Sequence, residues 1–83
     1  MREITAQDIV NVKRLQKAIE EKLNNCEYNP GSFLGIKNVS VSDLEGVLDC
    51  YLPCFETFNF AEFSAPCGNE KKILEKFNLN IWE

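Results

Sequence analysis

The stretch NVSVSDLEGVLDCYLPCFETF, residues 38–58, decides the fold of this chain. On a helical wheel at ~100° per residue, its apolar and acidic side chains separate onto opposite sides. The apolar side holds Val41, Leu44, Val47, Leu48, Tyr51, Leu52, Phe55 and Phe58. The acidic side holds Glu45, Asp49 and Glu56. Because the apolar arc covers roughly 140°, against the ~100° stripe of an ordinary surface helix, this helix should contact more than one neighbour.

Two candidate N-caps mark the start of this central helix, which we predict to span residues 40–58. Ser40 is followed three residues later by Asp43, and Ser42 is followed three residues later by Glu45. Each pair has the spacing of a capping box, in which the two side chains satisfy each other's backbone N–H groups. The sequence alone leaves both starts open.

Pro53 either ends the central helix at Leu52 or lies in a kink through which the helix continues. A proline inside a helix removes one backbone hydrogen bond and clashes with the carbonyl four residues earlier, which costs about 3 kcal/mol. The helical spacing of Tyr51, Phe55 and Phe58 nevertheless persists across the proline. We therefore prefer the interpretation in which the helix continues.

Two further helices are predicted, one before and one after the central helix. The first spans residues 5–25 and begins with Thr5 and Asp8, which fit a capping box. Its apolar positions recur at steps of three and four residues: Ile9, Val12, Leu15 or Gln16, Ile19 and Leu23. The last spans residues 69–77, with Asn69 as its N-cap and an inward face of Ile73, Leu74 and Phe77.

The connector before the central helix carries turn and strand signals. Residues 29–31, Asn-Pro-Gly, fit a type II turn. Three apolar side chains after this turn should be tucked under the helices: Phe33, Leu34 and Ile36. Val39 and Val41 alternate with polar neighbours as a short strand would, so strand and helix start compete there. The tail, residues 78–82, also alternates, and we predict either a short strand or a docked end.

Length and composition indicate one globular domain spanning residues 1–83, with 45% hydrophobic and 27% charged residues. We predict a mainly α fold of about three helices, with room for a short two-stranded β pairing; the alternative class is α+β. The predicted core consists of Val12, Leu15, Ile19, Leu44, Leu48, Tyr51, Phe55, Ile73, Leu74 and Phe77. Because the chain has neither a membrane-length apolar run nor the apolar core of a secretory signal at its N-terminus, we expect a cytoplasmic protein without membrane contact.

Cysteine and histidine content restricts the chemistry. Disulfides are disfavoured in a reducing compartment, and the closest cysteine pair lies on a predicted helix instead of a zinc-binding turn. We predict reduced, buried thiols without a bound metal: Cys26, Cys50, Cys54 and Cys67. The chain has no histidine, the commonest general base, and no glycine-rich phosphate-binding motif. The prediction is therefore a protein that is not an enzyme and holds no cofactor.

The negative charge is concentrated in one interval of the chain. The formal net charge is −4. Between Lys37 and Lys71 there are six acidic residues and no basic residue: Asp43, Glu45, Asp49, Glu56, Glu62 and Glu70. The same interval holds five of the nine aromatic residues. Such an interval is either an ordinary solvated face or a surface that attracts a basic partner and repels phosphate.

These patterns favour a small acidic binding protein, an inhibitor or modulator that docks on the basic, nucleic-acid-binding surface of another protein. The candidate contact residues are Asp43, Glu45, Asp49, Glu56, Glu62, Phe58 and Phe60. In size, acidity and lack of histidine the chain resembles the host-directed inhibitors of phages and mobile elements, anti-CRISPR proteins among them. The alternative is a structural homo-oligomer, such as a homodimer, or a small subunit completed through the apolar face of the central helix. Direct nucleic-acid binding ranks below both, since an acidic helix repels phosphate.

Overall fold

A computed structural model describes residues 3–25, 31–57, 65–79 and 81 of the chain. The elements follow in the order α1 (Ala6–Asn24), β1 (Gly31–Phe33), β2 (Ile36–Val39), α2 (Val41–Gly46), a π-helical turn (Val47–Tyr51), α3 (Leu52–Thr57) and α4 (Gly68–Lys76). The α2 helix, the π turn and α3 follow one another without a break and form the central helix, residues 41–57. The fold is mainly α with a short antiparallel pair of strands, as predicted.

Helix α1 begins at the predicted capping box. The Asp8 N–H donates to Thr5 Oγ1 at 3.3 Å, and the Thr5 N–H donates to Asp8 Oδ2 at 2.8 Å. Val12, Leu15 and Ile19 follow at helical spacing and are fully buried. The prediction of an amphipathic helix is therefore confirmed to within a residue at each end.

The two strands form a hairpin in which Phe33 pairs with Ile36. The turn residues Leu34 and Gly35 have φ of 54° and 82°, and positive φ at both central positions is the signature of a type I′ turn. Phe33 and Ile36 are buried as predicted, but Leu34 is 39% exposed. Its predicted burial is wrong because a residue at the tip of a two-residue turn lies beyond the strands that cover the core. The type II turn predicted at residues 29–31 falls mostly outside the described residues.

Ser40 decides the competition between strand and helix. Strand β2 ends at Val39, and α2 starts immediately after Ser40. The Asp43 N–H donates to Ser40 Oγ at 3.1 Å, and the Ser40 N–H donates to Asp43 Oδ2 at 3.0 Å. Of the two candidate capping boxes, the one at Ser40 forms, and Ser42 lies inside the helix with an exposed side chain.

The central helix continues through Pro53 to Thr57, as we preferred, and the turn before the proline widens. In this turn the Leu52 N–H donates to the carbonyl of Val47, five residues earlier. A π turn holds one more residue than an α turn. Pro53 has no N–H to offer to the carbonyl of Asp49, and the wider turn avoids the clash that proline makes in a regular helix.

The π turn changes which side chains of the central helix face the core. One extra residue displaces the following side chains by about 100° relative to a regular α-helix. Val47 and Leu52 are consequently both buried, although they are five residues apart. Leu48 and Tyr51, which the regular wheel places in the core, are only half-buried at its edge.

Helix α4 starts at Gly68, whose φ is 60°, after Cys67, whose side chain caps nothing. Asn69 was predicted as the N-cap, and this is wrong because the helix already includes it. Its amide Nδ2 instead donates to the Asn38 carbonyl at 2.9 Å and to Asp43 Oδ2 at 3.1 Å. Asn69 therefore fastens the start of α4 to the junction between β2 and α2.

The other end of α4 closes with a Schellman motif. Asn78 has φ of 57°, and its N–H donates to the Glu75 carbonyl at 3.1 Å. The next N–H, that of Leu79, donates to the Leu74 carbonyl at 2.9 Å. The motif brings the C″ residue onto the C3 residue, and here both are buried leucines. Leu79 and Ile81 are fully buried, so the described part of the tail is a docked end.

One hydrophobic core joins all these elements. It comprises Val12, Leu15, Ile19, Phe33, Ile36, Val39, Leu44, Val47, Leu52, Phe55, Ile73, Leu74, Leu79 and Ile81. Of the predicted core residues, Phe77 joins Leu48 and Tyr51 as half-buried. In the described parts of the chain, none of the helices combines the length and apolarity that crossing a lipid bilayer requires.

The cysteines are less buried than predicted. Cys54 is buried, and its thiol donates to the Cys50 carbonyl at 3.0 Å. Cys50 and Cys67 are exposed free thiols, which corrects the prediction. Cys50 lies in the π turn, away from the core side, and Cys67 precedes α4; Cys26 lies outside the described residues. Within residues 3–25, 31–57, 65–79 and 81, no group of three acidic or cysteine side chains could hold a metal ion.

Candidate protein-binding face of the central helix

Three acidic residues of the central helix are exposed: Glu45, Asp49 and Glu56. We call them together the acidic face; the π turn displaces Glu56 by about 100° from the side of the helix that Glu45 and Asp49 share. Glu45 and Asp49 lie one turn apart across the junction of α2 and the π turn. Among the residues that the structure describes, none of the three carboxylates makes an ion pair or hydrogen bond. The acidic face therefore presents to solvent three negative charges that no described residue compensates.

Glu56 lies apart from the position that the regular wheel gives it. It follows the π turn, and it borders a small cleft between α1 and the central helix with Gln16, Leu48, Leu52 and Pro53. The cleft has a volume of about 30 Å³, room for one or two water-sized groups. The half-buried Leu48 and the exposed Pro53 thus place apolar surface directly beside an acidic side chain.

Asp43, also among the predicted contact residues, uses its carboxylate for hydrogen bonds within the chain. Its carboxylate accepts hydrogen bonds from the Ser40 N–H and the Asn69 amide. The Ser40 backbone N–H is the main reason why the pKa of Asp43 is lowered, and it outweighs the opposing effect of partial burial; the Asn69 amide and the Ser40 hydroxyl lower it further. Asp43 is half-buried and holds two elements together, so its first role is structural.

We expect Asp43→Ala to lower the free energy of unfolding at neutral pH by about 1 to 2 kcal/mol, because it removes an ionised acceptor at a helix start. The folded-state pKa of Asp43 lies below its ordinary value of 3.8, so this stabilisation is present above that value and is lost as the pH falls through the lower folded pKa. Urea denaturation at pH 7 and at acid pH measures both effects.

Glu45→Ala is the matched control for Asp43→Ala, because it removes an exposed carboxylate from the same helix. We expect it to change the free energy of unfolding by less than about 0.5 kcal/mol. Equal costs for the two variants, or a cost of Asp43→Ala that persists unchanged at acid pH, would contradict the structural role of Asp43.

Glu70, the last charge of the acidic interval, is half-buried and contacts the central helix. A side chain at Gly46 would bring its Cβ within 3.4 Å of the Glu70 carboxylate, so α4 approaches the central helix closely there. The Tyr51 hydroxyl donates to the same carboxylate. Burial, followed by the Glu70 charge and this hydrogen bond, raises the pKa of Tyr51. Glu70 therefore joins two helices and adds little to the acidic face.

Three of the predicted contact residues lie outside the described part of the chain: Phe58, Phe60 and Glu62. Their participation stays a prediction. Leu48 was predicted to lie in the core, so the apolar edge beside Glu56 was not predicted. The available signal was Pro53, whose missing N–H requires a local change in the preceding turn.

Comparison of the chain with family models, curated proteins and solved structures finds no match in any of the three. A function for this protein therefore has to be inferred from its own residues and their geometry.

Proposed function

We propose that this protein is a cytosolic, non-enzymatic binding protein that docks its acidic face on a basic surface of another protein. The observation that carries the proposal is the exposure of Glu45, Asp49 and Glu56 without compensating charges among the described residues. A surface of one sign steers an oppositely charged partner and raises the rate of association. The same surface repels phosphate, so the basic partner is favoured over nucleic acid.

The cleft beside Glu56 suggests how a basic side chain of the partner would be held. Lysine and arginine carry an apolar stem below a charged head. The stem can lie on Leu48 and Pro53 while the head meets the Glu56 carboxylate. A cleft of about 30 Å³ is too small to admit a ring, so the contact is a surface contact and not an inserted anchor.

The class of partner follows from the charge it must carry. Surfaces with several exposed basic groups are typical of nucleic-acid-binding proteins. A small acidic protein that occupies such a surface competes with phosphate and inhibits or modulates the partner. We propose this as the function, of the kind that phages and mobile elements use against their hosts.

The test is the double reversal Glu45→Lys with Asp49→Lys, which changes the charge of two exposed side chains. The matched control is Glu20→Lys with Glu21→Lys on α1, which makes the same charge change at exposed positions elsewhere. Partners captured from host lysate are identified and purified, and their association rates are measured by interferometry. We expect the acidic-face variant to associate at least about tenfold more slowly than wild type, and the control to stay within about threefold.

Salt gives an independent readout of the same proposal. Charges on an exposed face are screened beyond about 8 Å at physiological ionic strength, so the wild-type association rate should fall steeply with added salt. Equal capture and equal rates for both variants would contradict the proposal. That result would favour the oligomer or subunit alternative, although two side chains of the apolar face on which that alternative depends, Val47 and Leu52, are buried within the chain.

A further inference from the structure

Lysines that are far apart in the sequence line one groove of the folded protein. The groove has a volume of about 660 Å³ and runs between the β-hairpin and the last turns of α4. Its lining is Gly35, Ile36, Lys37, Asn38, Lys72, Glu75 and Lys76. We call it the lysine groove.

The walls of the lysine groove are set by packing. Lys72 and Lys76 are four residues apart and share one face of α4. Lys37 follows the buried Ile36 on β2, and Ile73 of α4 is fully buried beneath the groove's helical wall. The amide of Asn69 holds α4 to the strand through its 2.9 Å hydrogen bond to Asn38. Strand β2 and helix α4 therefore fix the backbone positions of the three lysines relative to one another.

The described residues leave the groove with an excess of positive charge. Lys37, Lys72 and Lys76 are exposed, and none of them makes an ion pair with a residue in the described part of the chain. Among the described residues of the lining, Glu75 supplies the single negative charge, which leaves these residues at +2 in a protein of net charge −4. The negative end of the helix dipole favours a lysine in the last turn of α4, which explains the position of Lys76. It does not explain why Lys37, on a strand, lines the same groove.

We infer that the lysine groove binds a compact phosphate-bearing anion, either a free oligophosphate or the phosphate chain of a nucleotide. Lysine binds phosphate oxygens as a compact point charge, and all three cations among the described lining residues are lysines. A volume of about 660 Å³ lies within the ~300 to 1,000 Å³ range of small-molecule sites. Extended nucleic acid is disfavoured because the net negative charge repels a long phosphate backbone.

The experiment titrates the full chain with inorganic tripolyphosphate by calorimetry. Lys72→Ala with Lys76→Ala should weaken binding at least about tenfold, because it removes two of the three cations. Lys13→Ala with Lys17→Ala is the control, since these lysines are also exposed and four residues apart on a helix. We expect the control to bind within about twofold of wild type. Circular dichroism confirms that both variants are folded.

Two further titrations identify the source of the phosphate and test the contribution of β2. Lys37→Ala should weaken binding by about three- to tenfold, which shows that β2 as well as α4 contributes. ATP binding as tightly as tripolyphosphate assigns recognition to the phosphates alone, whereas tighter ATP binding adds the nucleoside. Equal losses in the two double variants, or no saturable binding at millimolar tripolyphosphate, would overturn the inference.

Discussion

Replacing Phe55 by alanine is expected to lower the free energy of unfolding by about 3 to 5 kcal/mol. Phe55 is fully buried in α3, which packs against α1 beyond Pro53. Truncation removes the largest fully buried side chain of the described residues and leaves a cavity among the helices. Small domains are stable by only about 5 to 15 kcal/mol, so this variant loses a large part of the total. Urea denaturation followed by circular dichroism measures the effect.

Phe77→Ala is the matched control for Phe55→Ala, because the same ring is removed from a half-buried position. We expect roughly half the cost, since less apolar surface returns to water. Equal costs for the two variants would contradict the difference in burial. A cost of Phe55→Ala below about 1 kcal/mol would contradict the continuation of the central helix through Pro53, because that continuation places Phe55 in the core.

Replacing Leu79 by alanine is expected to cost about 2 to 5 kcal/mol. Leu79 is fully buried, and its position follows from the Schellman motif in which Asn78 adopts a positive φ. Its backbone N–H closes α4 on the Leu74 carbonyl, and the two leucines share the core. The substitution keeps the backbone hydrogen bond and removes only the side-chain packing. Thermal and urea unfolding both report the loss.

Leu34→Ala is the control for Leu79→Ala, because it makes the same substitution at the exposed tip of the hairpin. We expect a change of less than about 0.5 kcal/mol. A large cost at Leu34 would show that the hairpin tip packs against the protein. A small cost at Leu79 would contradict the docked tail, and with it the closure of the core by the residues after α4.

The interactions that the sequence by itself determined are local ones. The capping box at Thr5 depends on side chains three residues from the backbone groups they satisfy. The buried face of α1 follows from apolar residues at steps of three and four. Persistent apolar spacing across Pro53 was enough to predict that the central helix continues. The exposure of Glu45, Asp49 and Glu56 could likewise be predicted from the periodicity of the central helix alone.

The burial of side chains around the π turn and the choice of the first residue of the central helix were decided by tertiary structure. The π turn before Pro53 buries Val47 and Leu52, and it moves Leu48 to an edge beside Glu56. A regular wheel cannot anticipate this, because the extra residue breaks the period on which the wheel depends. The two starts that Ser40 and Ser42 allow differ by only two residues, and pairing of the strand up to Val39 selected between them.

Long-range contacts explain why no sequence pattern indicated the lysine groove or the role of Asn69. Asn69 reaches the carbonyl of Asn38 across 31 residues, and this bond sets α4 beside β2. Lys37 and Lys72 line the same groove only because β2 and α4 pack over a shared core. Periodicity and capping act within about four residues, whereas these positions depend on which buried surfaces fit one another.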